Sequence, residues 1–305
     1  MKFIRPTPIL DAALISSNVP ETDYAAWVSG TSYAVGNRVI RTTATTHKVY
    51  ERLVAGAGTT APELDTVNWL AVGPTNRWKM FDDKVGTVTS QADSISVTLA
   101  PGRINSLALL NVDASTVDVE LVVDTETVYS ASLDLDSGNA VGNWYEYFYE
   151  PIYQQDTVVI TDLLDAALLD IPGYGEGELT VTLTRTGGTV SCGVLVVGVD
   201  YEIGETMRGA TVSIRDYSRK ETDEFGNVTV IPRDYSKKVS APVLVENERA
   251  DAVVQAVSRY RATPMVWIGS SVYGCMVVYG FVADWRLAFT YSDHSEYSIE
   301  IEGLT

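Results

Sequence analysis

Apolar and polar residues alternate with a period of two through much of the chain. Ile95-Ser-Val-Thr-Leu99, Val117-Asp-Val-Glu-Leu121 and Leu179-Thr-Val-Thr-Leu183 put apolar side chains on one face and hydroxyls or carboxylates on the other, the pattern of half-buried strands. Val194-Leu-Val-Val-Gly198 is apolar throughout and predicts a strand buried on both faces. Pro101-Gly102, Ser137-Gly138-Asn139 and Gly187-Gly188 punctuate these runs and predict turns. Short strands with such punctuation predict a β-sandwich or jelly roll over 81–203.

The period changes only once to that of a helix. Ala250, Val253, Val254 and Val257 recur at i, i+3, i+4 and i+7, so one amphipathic helix of about 12 residues is expected over about 247–260. Asn247 is its expected N-cap, and Arg259 and Arg261 suit its C-terminal dipole. Upstream, Arg215-Asp-Tyr-Ser-Arg-Lys220 is echoed by Arg233-Asp-Tyr-Ser-Lys-Lys238 around Phe225-Gly226-Asn227. The echo predicts a long hairpin with its tip near the glycine, each arm carrying a tyrosine and a basic cluster. Those clusters are either solvated strand ends or an intersubunit contact.

Residues 262–283 hold no charge, long enough to span a bilayer. Pro264, Gly269, Ser270, Ser271, Gly274 and Gly280 interrupt the stretch, so it reads as strand (Met265–Ile268), turn and strand (275–282) rather than a membrane span. At the other end, Pro6, Pro8 and Pro20 suggest an extended arm with one or two helical turns within 9–15. The segments are therefore 1–23, an N-terminal arm; 24–80, a small β unit; 81–203, the sandwich; and 204–305, a β domain with the one helix. Gly73-Pro74-Thr75-Asn76 is the expected hinge before the sandwich. The fold class is mainly β, and 305 residues suffice for two or three domains.

Charge narrows the function. The net charge is −18, and the middle segment holds most of it: 20 acidic residues against 3 basic over 81–204. Such a surface repels phosphate backbones and excludes nucleic acid as the partner. It solubilises, docks onto a basic partner, or binds calcium weakly. Cys192 and Cys275 are the only cysteines, without metal-ligand spacing, and are expected to be buried free thiols. His47 and His294 are the only histidines, too few and too isolated for a zinc site or a nucleophile–base pair. Asp134-Leu-Asp136-Ser-Gly138-Asn139 approaches a calcium loop but departs from it at the fifth and sixth positions. Gly-rich phosphate-binding motifs are absent. No catalytic residue, metal or cofactor is expected, and Met1-Lys-Phe-Ile-Arg-Pro does not read as an export leader.

The aromatic residues stand out instead. Trp144-Tyr-Glu-Tyr-Phe-Tyr149, if extended, puts Trp144 and Phe148 on one face and three tyrosines on the other, a composition suited to an interface. In the first unit, Trp27-x5-Tyr33-x2-Gly36-x2-Val39 is followed by Tyr50, Pro62 and Trp69. Over about 24–73 this resembles the chitin-binding type of carbohydrate-binding module. The resemblance implies a compact few-stranded unit in which Trp27, Tyr33, Tyr50 and Trp69 either stack on sugar rings or pack a small core. Glu51-Arg-Leu-Val-Ala55 stands where that family has adjacent exposed tryptophans.

That module, the junction Gly73-Pro-Thr-Asn-Arg-Trp-Lys-Met-Phe-Asp82, the β-rich segment after it and the Arg-Asp-Tyr-Ser echo together resemble virion proteins from the tails of tailed bacteriophages. The resemblance implies a tail-tip or baseplate component assembled in the host cytoplasm. Its implied partners are other tail proteins, further copies of itself and host-surface glycan, and its middle segment would be a galactose-binding-like jelly roll. The alternatives are a carbohydrate-binding adhesin and, more weakly, a glycan-degrading enzyme using carboxylates of the acidic segment.

Overall fold

The computed structural model describes residues 1–136, 144–149, 155–161, 163, 177–222, 224–270, 273–289 and 291–304. The fold is mainly β. The arm contributes β1 (Lys2–Pro6) and β2 (Leu14–Ser17). The small unit contains β3 (Ser32–Tyr33), β4 (Arg38–Thr43), β5 (Thr46–Arg52), β6 (Gly56–Ala57) and β7 (Trp69–Pro74). Next come β8 (Thr89–Leu99), β9 (Ser106–Asp113), β10 (Thr116–Val123), β11 (Glu126–Asp134), α1 (Trp144–Tyr149), β12 (Thr157–Ile160) and β13 (Glu178–Glu202). The last part holds β14 (Glu205–Thr206), β15 (Thr211–Asp216), β16 (Arg219–Thr222), β17 (Val228–Ile231) and β18 (Tyr235–Glu246). It ends with α2 (Asn247–Arg259), β19 (Met265–Ile268), β20 (Val277–Ala288) and β21 (His294–Gly303).

β13 organises the molecule. Its 25 residues would run about 80 Å if straight, so the strand must bend. The bend falls where the register against β8 shifts between Thr184 and Thr189, at Gly187 with φ of 74°. The pair Gly187-Gly188, expected to end a strand, therefore makes a bulge that continues one. Before the bulge β13 lies between β10 and β8, and beyond it between β8 and β9 and then along β1. One strand thus serves both layers of a sandwich. Ile95, Val97 and Leu99, Leu107 and Leu109, Val117 and Val119, and Leu179, Val181 and Leu183 meet in its core.

The arm is structural. β1 inserts between β13 and β19, with Phe3 and Ile4 both fully buried on opposite faces, in two different apolar clusters. Around Asp11–Ala13 the expected helical turn is a single 3-10 turn. From β1 the sheet continues through β19, β20, β21 and β18, and α2 covers it with Val253 and Val257 packed against Val243, Tyr297 and Ile299. The helix starts one residue earlier than the capping pattern suggested. Glu246 is the N-cap without a side-chain bond. Asn247 instead accepts from the Ser295 hydroxyl and donates to the Tyr291 carbonyl.

The uncharged run 262–283 contains β19, a 3-10 turn at Gly274–Met276 and the start of β20, with 271–272 outside the described residues. Among the described residues no helix is long and apolar enough to cross a membrane.

Candidate interaction surfaces

The small unit is a three-stranded antiparallel sheet, β4-β5-β7, flanked by the pair β3-β6. A sheet this small has room for a few large side chains inside, and these are Val39, Tyr50 and Trp69, with Trp27 and Tyr33 packed against them. Tyr50 and Trp69 are only 5% and 3% exposed. The edge of the Tyr33 ring meets Trp69 at 5.2 Å between centroids, and the Arg52 guanidinium lies 4.9 Å from the centre of the Trp69 ring. Both rings are packed inside, so of the two roles the resemblance left open Tyr50 and Trp69 take the core one, with neither face turned to solvent. Trp27 and Tyr33 are half-buried. Over Trp27 sits Arg41, 5.1 Å from the ring centre and held by two bonds to Glu63 at 2.8 and 3.1 Å. That pairing holds the Glu63 carboxyl below its ordinary range and raises the Arg41 guanidinium; burial raises the Tyr50 phenol.

The junction between this unit and the sandwich is pinned. Both ends of the Asn76 amide bond the backbone of Ser90, and its own N–H donates to Asp23 at 2.7 Å. Beside it, Glu21 accepts from the Thr75 hydroxyl at 2.6 Å and pairs with His47 at 3.0 Å. His47 also lies 3.1 Å from Asp11 and stacks on Trp78 at 4.4 Å. Arg77 ties the Val19 carbonyl into the same cluster. The sequence read His47 as an isolated residue because its partners, Asp11, Glu21 and Trp78, come from three separate segments.

The aromatic run at 144–149 is an α-helix, not a strand. The i, i+4 pair Trp144 and Phe148 therefore shares a face, with ring centroids 4.9 Å apart. Trp144 is 81% exposed. Ser137, Gly138 and Asn139 of the calcium-like run lie outside the described residues; its carboxylates Asp134 and Asp136 lie within them, with the Asp136 N–H donating to Asp134. Among the described residues no three metal-ligating side chains converge.

The echoed motif forms the expected long hairpin. β15 pairs with β18 and β16 with β17, and Gly226 at the tip adopts φ of 83°. The two copies of the echo face each other across it: Asp216 pairs with Tyr235, and the Tyr217 N–H donates to the Asp234 carbonyl. Every residue of β15, β16 and β17 is exposed. Val212, Ile214, Val228, Val230 and Ile231 are among them, and Tyr235 at the start of β18 is exposed as well. No protein-family model matches the chain, and no curated protein is similar to it. The hairpin's chemistry has to be read from its own residues.

Two-stranded ribbons are marginal in water, because neither face has a layer to bury against. This ribbon nonetheless carries branched and aromatic side chains. Its edge strand β15 pairs on one side only among the described residues, leaving backbone donors and acceptors open to a further strand or chain.

Near the base of the hairpin a cleft of about 1270 Å³ is lined by Met1, Glu202, Glu205, Arg208 and Tyr273. There the N-terminal ammonium donates to the Gly204 carbonyl, and burial lowers its pKa. Cys275 lines the same cleft and is exposed, whereas Cys192 is buried; only one of the two thiols expected inside is there.

Proposed function

We propose that this chain is a structural component acting by protein–protein assembly, and that its setting is the tail tip or baseplate of a tailed bacteriophage. The observation that carries the assembly reading is the hairpin segment Thr211–Ile231, whose strands are exposed along their whole length and carry Val212, Ile214, Val228, Val230 and Ile231. A monomer gains nothing from displaying such a ribbon, while a neighbour that covers it gains apolar burial and backbone pairing. The phage setting rests on the resemblance of the aromatic module, the 73–82 junction and the echoed motif to virion tail proteins.

Contact with host glycan is the weaker part of this reading. With Tyr50 and Trp69 inside, it would rest on Trp27 and Tyr33, and Arg41 already lies across Trp27.

Imaging intact particles tests the proposal. The expected result is density for this chain in the tail with residues 211–231 against a neighbouring subunit. Particles that lack the chain, or that hold it with the hairpin free in solvent, would refute it.

A further inference from the structure

The hairpin leaves one long edge open. β15 and β16 follow one another along it, and among the described residues they pair on their other side alone, with β18 and β17. Between them Tyr217 and Ser218 stay tied to the far arm. The Tyr217 N–H donates to the Asp234 carbonyl, and the Ser218 hydroxyl accepts from the Arg233 N–H at 3.1 Å. Residues 211–222 are exposed except Ser218, which is half-buried. Such an edge is a template for another strand.

The two copies of the echo are not equivalent. Arg215-Asp-Tyr-Ser-Arg-Lys220 lies on the open edge and is followed by Glu221, whereas Lys238 of the second copy is followed by Val239, which is buried in the core. Along the edge, 215–221 therefore runs cation, anion, two uncharged residues, two cations, anion. Laid antiparallel against itself about Ser218, this run sets no charge against its like. Arg215 faces Glu221, Asp216 faces Lys220, and Arg219 faces the Tyr217 ring, all favourable cross-strand pairs. Moving the register one residue either way sets Arg215 against Lys220 or Asp216 against Glu221.

Within one chain these groups make only exposed pairs. Arg215 reaches Glu302 and Arg219 reaches Glu221, both at 2.9 Å, with the arginine side chains 61% and 62% exposed. Ion pairs this open contribute little, so exchanging them for pairs across a covered interface costs little. The Ser218 N–H donates to the Asp216 carboxylate at 2.8 Å, which favours the charged form that a facing lysine needs.

Resting on the assembly reading above, we propose that the open edge 211–222 pairs antiparallel with the same edge of a second copy, across a two-fold axis at Ser218. The contact is isologous, so each opposed pair occurs twice. It joins two ribbons that are marginal alone into one four-stranded sheet. The edge's backbone donors and acceptors supply affinity, and the opposed charges fix the register.

Charge reversal in the full-length chain tests this. One variant carries Arg215→Glu and the other Glu221→Arg; both positions are exposed, and circular dichroism checks that both variants fold. In sedimentation velocity the wild type should form dimers. Either variant alone sets like charges together twice and should dimerise roughly 10-fold more weakly. An equal mixture of the two should recover the wild-type strength, because every opposed pair in the heterodimer is again of opposite sign. Variants that dimerise as tightly as the parent, a mixture no stronger than its components, or a wild-type chain that is monomeric at all concentrations would overturn the proposal. A monomeric chain that still enters particles with its hairpin against a different protein would overturn this pairing and leave the broader assembly reading standing.

Discussion

Trp69 and Trp27 divide the work of the small unit. Trp69 is buried with Tyr33 and Arg52 against its ring, so Trp69→Ala should cost about 3–5 kcal/mol and unfold the unit. Trp27→Ala, at a half-buried site, should leave it folded. Tryptophan fluorescence and proteolysis of residues 24–74 separate the two outcomes; a folded Trp69→Ala unit would contradict the core assignment. The sequence pattern placed all four aromatics in one unit correctly. It could not say which faced inward, since a sugar platform and a minimal core draw on the same residue types.

Cys192 makes a pH prediction. Burial pushes its thiol up to about 12 from an ordinary value of 9.0, so the folded state favours the neutral form. Its contribution to stability is complete below pH 9 and is lost as pH rises toward 12, because the unfolded chain ionises first. Burial also raises the phenols of Tyr279 and Tyr297, which adds the same sign above about pH 10. Unfolding free energy should therefore hold from pH 7 to 9 and then fall, with Cys192→Ala delaying the onset. A thiol reagent at pH 8 should modify one cysteine per native chain, Cys275, and two after denaturation.

At the scale of elements, regular alternation was readable and crossings were not. The strands at 95–99, 117–121 and 179–183, the helix at 247–259 and the hairpin all follow from side-chain period and turn chemistry. The insertion of β1 into the middle of the sheet does not, because Lys2–Pro6 is short and its partners lie about 200 residues away. Neither does the helical state of 144–149, whose aromatics favour strands in general.

Gly198 marks the close approach of β1 to β13, its antiparallel neighbour: a Cβ there would lie 1.9 Å from the Arg5 carbonyl oxygen. Gly198→Ala should push β1 off its neighbour and lower stability by about 2 kcal/mol or more, read from the denaturant midpoint. An unchanged midpoint would mean the strands have room to spare. Amide exchange gives the matching test for the hairpin. β16 and β17, without a layer on either face, should exchange far faster than β13 in the free chain and become protected on assembly.

The whole molecule combines a sheet-built body with an exposed hairpin. Sandwich, arm and C-terminal strands share a 14-stranded sheet, and Asn76 and the His47 cluster pin the small unit to that body. The hairpin leaves the body at β15 and β18, and Val239 is the last residue of its β18 arm in the apolar core. The decisive measurement therefore separates folding from assembly. Joining Asp216 to Tyr235 through Asn-Gly, a pair suited to a two-residue turn, removes the outer hairpin while keeping every strand of the body. Thermal unfolding of this shortened chain and its incorporation into particles are then measured together. The account predicts stability within about 0.5 kcal/mol of the full chain and no incorporation. A shortened chain that assembles as well as the parent would contradict it.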